Sequence, residues 1–293
     1  MQTVRTGVLD IAYEPHGPAD GWPVVLLHGF PYDARSYDAV AAALAYAGAH
    51  VVVPYLRGYG PTRFADDATP RSGQQAALAH DLHDLIDALG LHRPIVGGYD
   101  WGGRAACLVA ALWPDSVSGL ATVGGYNVQN IARAAVTPAA PADEAMAWYQ
   151  FYLHSERGRA GLTANRADIA RLLWQQWSPR WQFTDAEFAA TAASFDNPDF
   201  VDVVVHSYRH RYGLVPGDAA YDDTEAAIAQ QPRIDVPTVV VESLHDGFGP
   251  PEARAHHATH FSALVDVHYV DAGHNPPQES PAEFTAAVLA LAE

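Results

Sequence analysis

The run Pro94-Ile95-Val96-Gly97-Gly98-Tyr99-Asp100-Trp101-Gly102-Gly103-Arg104 constrains the fold more than any other stretch of the chain. Its apolar opening reads as a buried strand, its glycines as a pinched turn, and its continuation to Trp113 as a helix. Small residues on both flanks are what a turn requires when it pushes one side chain out between strand and helix. Aspartate at position 100 also suits a helix N-cap, which explains the residue type but not the crowding of glycine around it. If Asp100 instead meets a reactant, its chemistry is narrow. A carboxylate attacking an acyl carbon yields a reactive anhydride. Attack on sp3 carbon bearing a leaving group, as in an epoxide or an alkyl halide, yields a stable ester.

The rest of the chain repeats the strand-then-helix alternation. Residues 23–28 form a near-continuous apolar run, as expected for a strand covered on both faces. Residues 36–48 read as a helix closed by glycine, 50–54 as a strand, 72–90 as a longer helix and 118–124 as another strand. The pattern predicts an α/β fold with a mostly parallel central sheet flanked by helices. Between 126 and 231 no parallel-strand run is evident and aromatic residues crowd together, with Pro138 and Pro141 before them and Pro216-Gly217 after. Strands then resume at 237–242 and 265–270, with helices near 251–257 and from Pro281. The expected organisation is a core of residues 1–125 and 232–293 interrupted by a helical cap at 126–231.

Composition removes several alternatives. The chain has 293 residues, 49% of them hydrophobic, which suits one large domain with an insertion. A formal net charge of -17 argues against nucleic acid and anionic membrane as partners. All 17 basic residues are arginine, so lysine Schiff bases and P-loop lysines are excluded. The single cysteine, Cys107, permits no intramolecular disulfide, and the first residues lack a secretory apolar segment. A cytoplasmic location is therefore expected, and a homodimer is compatible with the composition.

Asp100 has partners in a meaningful order. Asp246 follows the strand at 237–242, and His274 follows the strand at 265–270. A nucleophile, an acid and a histidine at successive strand ends would meet in one crevice. Glu242 and Asp271 are neighbouring carboxylates that compete with Asp246 for the role of acid. His28-Gly29-Phe30-Pro31, after the first buried strand, reads either as a plain turn or as half of an oxyanion hole made by the Phe30 and Trp101 amides. Together with Arg57-Gly58-Tyr59-Gly60, these motifs resemble the α/β-hydrolase superfamily over nearly the whole chain. Within it they are most similar to the aspartate-nucleophile branch of epoxide hydrolases and haloalkane dehalogenases. Relatives carry aspartate where this chain has Tyr55.

The cap discriminates within that branch. The resemblance implies two tyrosines that hold and protonate the epoxide oxygen. Trp148-Tyr149-Gln150-Phe151-Tyr152 is similar to the first motif, and Ser207-Tyr208-Arg209 to the second. Ordinary aromatic packing is the competing explanation for both Tyr149 and Tyr208. A halide leaves without a proton and suits indole N–H donors, so Trp101, Trp174 and Trp177 are candidate substrate-binding residues under either activity. Haloacid dehalogenases also resemble this core, and Arg104 keeps a carboxylate substrate open. The expected activity is epoxide hydrolysis through an ester on Asp100, with water activated by His274 and Asp246. Haloalkane or haloacid dehalogenation is the alternative, and a hydrolase-fold ligand-binding protein is a more distant one. The expected substrate is small and apolar or aromatic, with no cofactor or metal required. His206 and His210 share a helical face but lack the glutamate of a zinc-hydrolase helix.

Overall fold

Nine strands form one sheet in a computed structural model that describes residues 1–292. They are β1 (Gln2–Arg5), β2 (Leu9–His16), β3 (Trp22–Leu27), β4 (Ala49–Pro54), β5 (Arg63–Phe64), β6 (Ile95–Gly98), β7 (Gly119–Val123), β8 (Thr238–Ser243) and β9 (Leu264–Val270). Their order is β1-β2-β4-β3-β6-β7-β8-β9, with β5 on β2. From β4 to β9 every pairing is parallel. Val24, Val25 and Leu26 in β3 and Val239, Val240 and Val241 in β8 are buried on both faces, as their uninterrupted apolar runs require.

The chain leaves β3 for β4 on one side and returns to β6 on the other. That reversal opens a crevice at the carboxyl ends of the strands. Register then aligns what reaches it. Leu27 pairs with Gly98, Gly98 with Thr122, Val123 with Val241 and Ser243 with Val270. The loops after β3, β6, β8 and β9 therefore emerge side by side.

The central elements match the alternation read from the sequence, with trimmed ends. Residues 72–90 contribute the helix Gln75–Ala88, and the elbow is followed by the helix Asp100–Leu112. The expected helix at 251–257 shortens to Arg254–His257, with Ala253 before it still extended (φ -79°, ψ 147°). The antiparallel β1–β2 ribbon carries no clear signal in the sequence. β1 is largely exposed, so it lacks the apolar signature that marks the central strands.

Between β7 and β8 the chain forms helices only, from Ile131 to Ile228. Buried polar contacts fasten this region to the sheet. Asp33, after β3, accepts hydrogen bonds from the Thr191 hydroxyl (3.0 Å) and the Ser194 hydroxyl (2.6 Å). Asn197 Nδ2 donates to the Gly60 and Thr62 carbonyls at 3.0 and 2.7 Å. Burial pushes the Asp33 carboxyl up to about 6. Tyr55 packs its ring against Gly60 and sets its hydroxyl 3.3 Å from Glu14. No helix among the described residues is long and apolar enough to cross a membrane.

Candidate active site

Asp100 has a backbone φ of 49°, a left-handed conformation that aspartate adopts only where its surroundings hold it. Close packing supplies the hold. A Cβ on Gly102 would lie 2.1 Å from the Leu27 carbonyl oxygen, and one on Gly98 would lie 2.5 Å from the Gly102 carbonyl. Strand and helix thus touch backbone to backbone, and Asp100 is extruded at the turn. The N-cap position falls to Tyr99. The Asp100 carboxylate instead accepts the Phe30 N–H from the neighbouring strand's loop, at 2.8 Å to Oδ1.

His274 and Asp246 meet beside it. His274 Nδ1 is 2.9 Å from Asp246 Oδ2, and its Nε2 is 3.8 Å from Asp100 Oδ2. The Phe248 amide holds the other Asp246 oxygen at 2.8 Å. The competing acids are engaged elsewhere. Glu242 lies 2.8 Å from buried His257, and Asp271 is exposed and 2.9 Å from His245. Burial would lower the His274 pKa, but Asp246 and then Asp100 raise it to about 10. Burial likewise opposes the Asp100 charge, yet His274, Arg211 and the Phe30 amide hold its carboxyl below the ordinary range. At neutral pH Asp100 is ionised and His274 carries a proton.

His28 secures the loop that presents Phe30. Burial lowers its pKa to about 4, so the ring is neutral. Its Nε2 accepts the Leu56 N–H at 3.1 Å, which leaves Nδ1–H to donate to the Gly29 carbonyl at 3.0 Å. Gly29 has no room for a side chain, because a Cβ there would come within 2.5 Å of Asp100 Cβ. Trp101, with the second amide predicted for the oxyanion, is the next residue of the helix.

A cavity of about 550 Å³ opens over these residues, and Asp100, Tyr149, Trp177 and His274 line it. Tyr149 comes from the helix Trp148–His154 and Tyr208 from the helix Phe200–His210; their rings meet edge to face at 5.1 Å. Gln150 Nε2 donates to the Tyr149 hydroxyl at 2.8 Å, while the buried Tyr208 hydroxyl has no partner among the described residues. Burial, with the Asp100 charge adding to it, raises both phenols above their ordinary range. Both therefore keep their protons.

The three candidate tryptophans separate. Trp177 lies 4.8 Å ring to ring from His274, and its buried indole N–H has no acceptor among the described residues. The same holds for the Trp101 N–H, with its ring stacked on Phe30 at 5.8 Å. Trp101 does not line the cavity, and neither does Trp174. Its N–H donates to the Pro31 carbonyl at 2.9 Å, and its ring packs on Tyr32, Trp181, Phe183 and Phe188.

Some contributors leave no local signature in the sequence. Glu279 organises the histidine loop, accepting from the Gly273 amide (2.7 Å), the Asn275 amide (2.9 Å) and the Ser178 hydroxyl (2.6 Å). Ser178 Oγ in turn accepts the His274 amide at 3.0 Å. Ser178 is 96 residues away in sequence, so no local pattern connects it to His274. Arg211, which lines the cavity with Arg104, was hidden in an ordinary basic helix end. His206 uses Nδ1 to accept the Gly73 amide at 3.0 Å.

A model of the alpha/beta hydrolase fold family matches residues 23–281. Over 142 residues the chain is 35% identical to Epoxide hydrolase A of Mycobacterium tuberculosis, covering 46% of this chain and 39% of that protein. Over 122 residues it is 33% identical to a haloalkane dehalogenase of Mycobacterium marinum, covering 40% and 39%. The chain thus spans about two fifths of the length of these curated relatives. A solved structure from Klebsiella pneumoniae, described as a candidate epoxide hydrolase, superposes with a TM-score of 0.96 at 45% identity, covering 100% of this chain and 97% of that one.

Proposed function

The chain belongs to the alpha/beta hydrolase fold family, and within it we propose that this protein opens epoxides to vicinal diols through an ester on Asp100. The observation that carries the reading is the company of Asp100: a histidine–aspartate pair stands beside the extruded carboxylate, Tyr149 lines the same cavity, and Tyr208 packs edge to face on Tyr149. Asp100 Oδ2, the oxygen not held by Phe30, attacks an epoxide carbon, and the carbon–oxygen bond breaks. A Tyr149 or Tyr208 hydroxyl donates its proton to the alkoxide, which stays attached and must be neutralised. Esterification removes the Asp100 charge that helps keep His274 protonated. The imidazolium then returns a proton to the phenolate and becomes a neutral base.

In the second step His274 Nε2 takes a proton from water as the oxygen attacks Asp100 Cγ. The Phe30 and Trp101 amides face the oxyanion. Collapse releases the diol, whose leaving oxygen takes the proton from His274. The acid proton of the regenerated carboxyl goes back to His274, restoring the ion pair. Tyr99, Tyr149, Trp177, Tyr212 and Phe248 give the cavity of about 550 Å³ an aromatic portion beside its charged side chains, which suits a small epoxide with an aromatic or apolar part.

Dehalogenation is the second reading, favoured by the unpartnered indole N–H groups of Trp101 and Trp177. Styrene oxide and 1-bromobutane separate the two. Diol formation without bromide release supports epoxide hydrolysis, and bromide release without diol overturns it. A single turnover in oxygen-18 water should label the Asp100 carboxylate. Label found only in the diol would rule out the ester.

A further inference from the structure

Nine of the 17 arginines have a carboxylate within 4.0 Å. Arg57, 1% exposed, is gripped at both ends of its guanidinium by Asp81 (2.6 and 2.7 Å) and donates to the Ser72 carbonyl. Arg209, two residues before Arg211, pairs with Glu156 at 2.9 Å. Arg104 and Arg211 are among the eight without such a carboxylate, and unlike most of those eight they are not exposed. Among the described residues neither has a carboxylate within 4.0 Å. Arg211, 8% exposed, rests its guanidinium on the Tyr208 ring at 4.9 Å and near that of Trp101 at 5.7 Å. Arg104 has one neutral partner, the Gln129 side-chain oxygen at 3.2 Å. Both line the cavity that holds Asp100.

Two poorly solvated cations on one wall repel each other and are costly to keep without counter-charge. Burial and the Arg211 charge bring Arg104 down to about 10. Six carboxylates also line the cavity, yet Asp100 and Asp246 stand with His274, and Asp143, Glu144, Glu242 and Glu252 all lie more than 4.0 Å from either guanidinium. A planar two-oxygen monoanion matches the fork of a guanidinium.

We propose that Arg104 and Arg211 form an anion subsite, and that the substrate is an epoxide carrying a carboxylate, with its ring at Asp100 and its carboxylate at the guanidinium pair. This rests on the epoxide-opening reading for the reaction but not for the binding.

The test compares 3-phenylglycidate with its primary amide as substrates, and trans-cinnamate with cinnamamide as unreactive ligands measured by calorimetry. The acid should be favoured at least about tenfold in kcat/KM and in Kd, as a charge-assisted pair requires. Arg211→Met and Arg104→Met, which keep much of the side-chain bulk, should each lower that preference about tenfold, and Arg211→Lys should restore part of it. Circular dichroism and melting identify any variant that fails to fold, and the wild-type comparison decides without it. Equal or tighter binding of cinnamamide, or no binding of cinnamate, overturns the subsite. Styrene oxide turnover with no preference for the acid would also overturn it, while sparing the reaction. Preferential cinnamate binding with no epoxide opened would sustain the subsite and defeat the reaction.

Discussion

Replacing Asp246 with asparagine separates the two proposed chemical steps. The side chain keeps its size, and its Oδ1 can still accept the Phe248 amide, now held at 2.8 Å. What disappears is the negative charge 2.9 Å from His274 Nδ1. That charge is the foremost influence raising the imidazole, which moves from 6.5 to about 10 with Asp100 also contributing. The rise corresponds to about 5 kcal/mol of preference for the imidazolium. Ester hydrolysis develops that imidazolium after Asp100 has been neutralised, so Asp246 is then its remaining carboxylate support. If most of the preference belongs to Asp246, hydrolysis should slow by roughly 10³ to 10⁴-fold, equivalent to about 4–5 kcal/mol. Attack by Asp100 does not use His274 as a base and should slow far less.

The assay is rapid-quench with styrene oxide, with intact-protein mass spectrometry of the quenched samples. Asp246→Asn should consume about one equivalent of epoxide in a burst, gain the mass of one substrate, and release diol slowly. Equal slowing of burst and steady state would refute the division of labour. So would steady-state turnover close to that of the wild type.

Four other expectations rest on separate contacts. Tyr149→Phe and Tyr208→Phe should each lower epoxide opening by about 10²-fold, and the double variant by more, because one phenol partly substitutes for the other; burst rates check this, and an unaffected burst would return both residues to packing. Gly102→Ala forces a Cβ to within 2.1 Å of the Leu27 carbonyl and should cost more than about 3 kcal/mol, read from urea midpoints; an unchanged midpoint would mean the elbow is looser than described. Glu279→Gln should lower kcat with little change in melting temperature, since it loosens the amides on either side of His274; an equal loss of stability would make the residue merely structural. Asp33 has a folded-state pKa of about 6 against an ordinary 3.8, so its contribution is complete below the lower value and lost as pH rises through the higher. Between pH 5 and 7.5 the wild type should therefore lose about 1–2 kcal/mol relative to Asp33→Asn, and parallel stability curves would contradict the burial argument.

The parts of the site that could be read in advance share a physical property: they are local. The elbow announces itself because a left-handed Asp100 needs Gly98 and Gly102 within four positions. Val24 to Leu27 and Val239 to Val241 declare a doubly covered sheet because nothing polar interrupts them. Asp246 and His274 could be placed because parallel strands deliver their loops to one edge. What remained hidden depends on pairs far apart in the chain. Ser178 braces His274 from 96 residues away and is held in turn by Glu279, and Arg211 reaches the Asp100 cavity from the end of a helix whose other basic residues are ordinary. Trp174 shows the opposite error. Its residue type fits a binding wall, but its indole N–H is committed to Pro31.

Asp100 and His274 follow strands of the sheet, whereas Tyr149 and Tyr208 stand on helices of the intervening region, which Asp33 ties to the sheet through Thr191 and Ser194. The machinery is therefore divided between two parts of the molecule that need not fail together. Under mild denaturant, loss of the contacts that join them, Asp33 with Thr191 and Ser194 and Phe30 with Tyr149 and Tyr208 among them, should part the phenols from the carboxylate before the sheet melts. Such a species would retain its carboxylate and base but lack its proton donors. Ageing or partly melted preparations should then lose epoxide opening well before they lose the far-ultraviolet signature of the sheet.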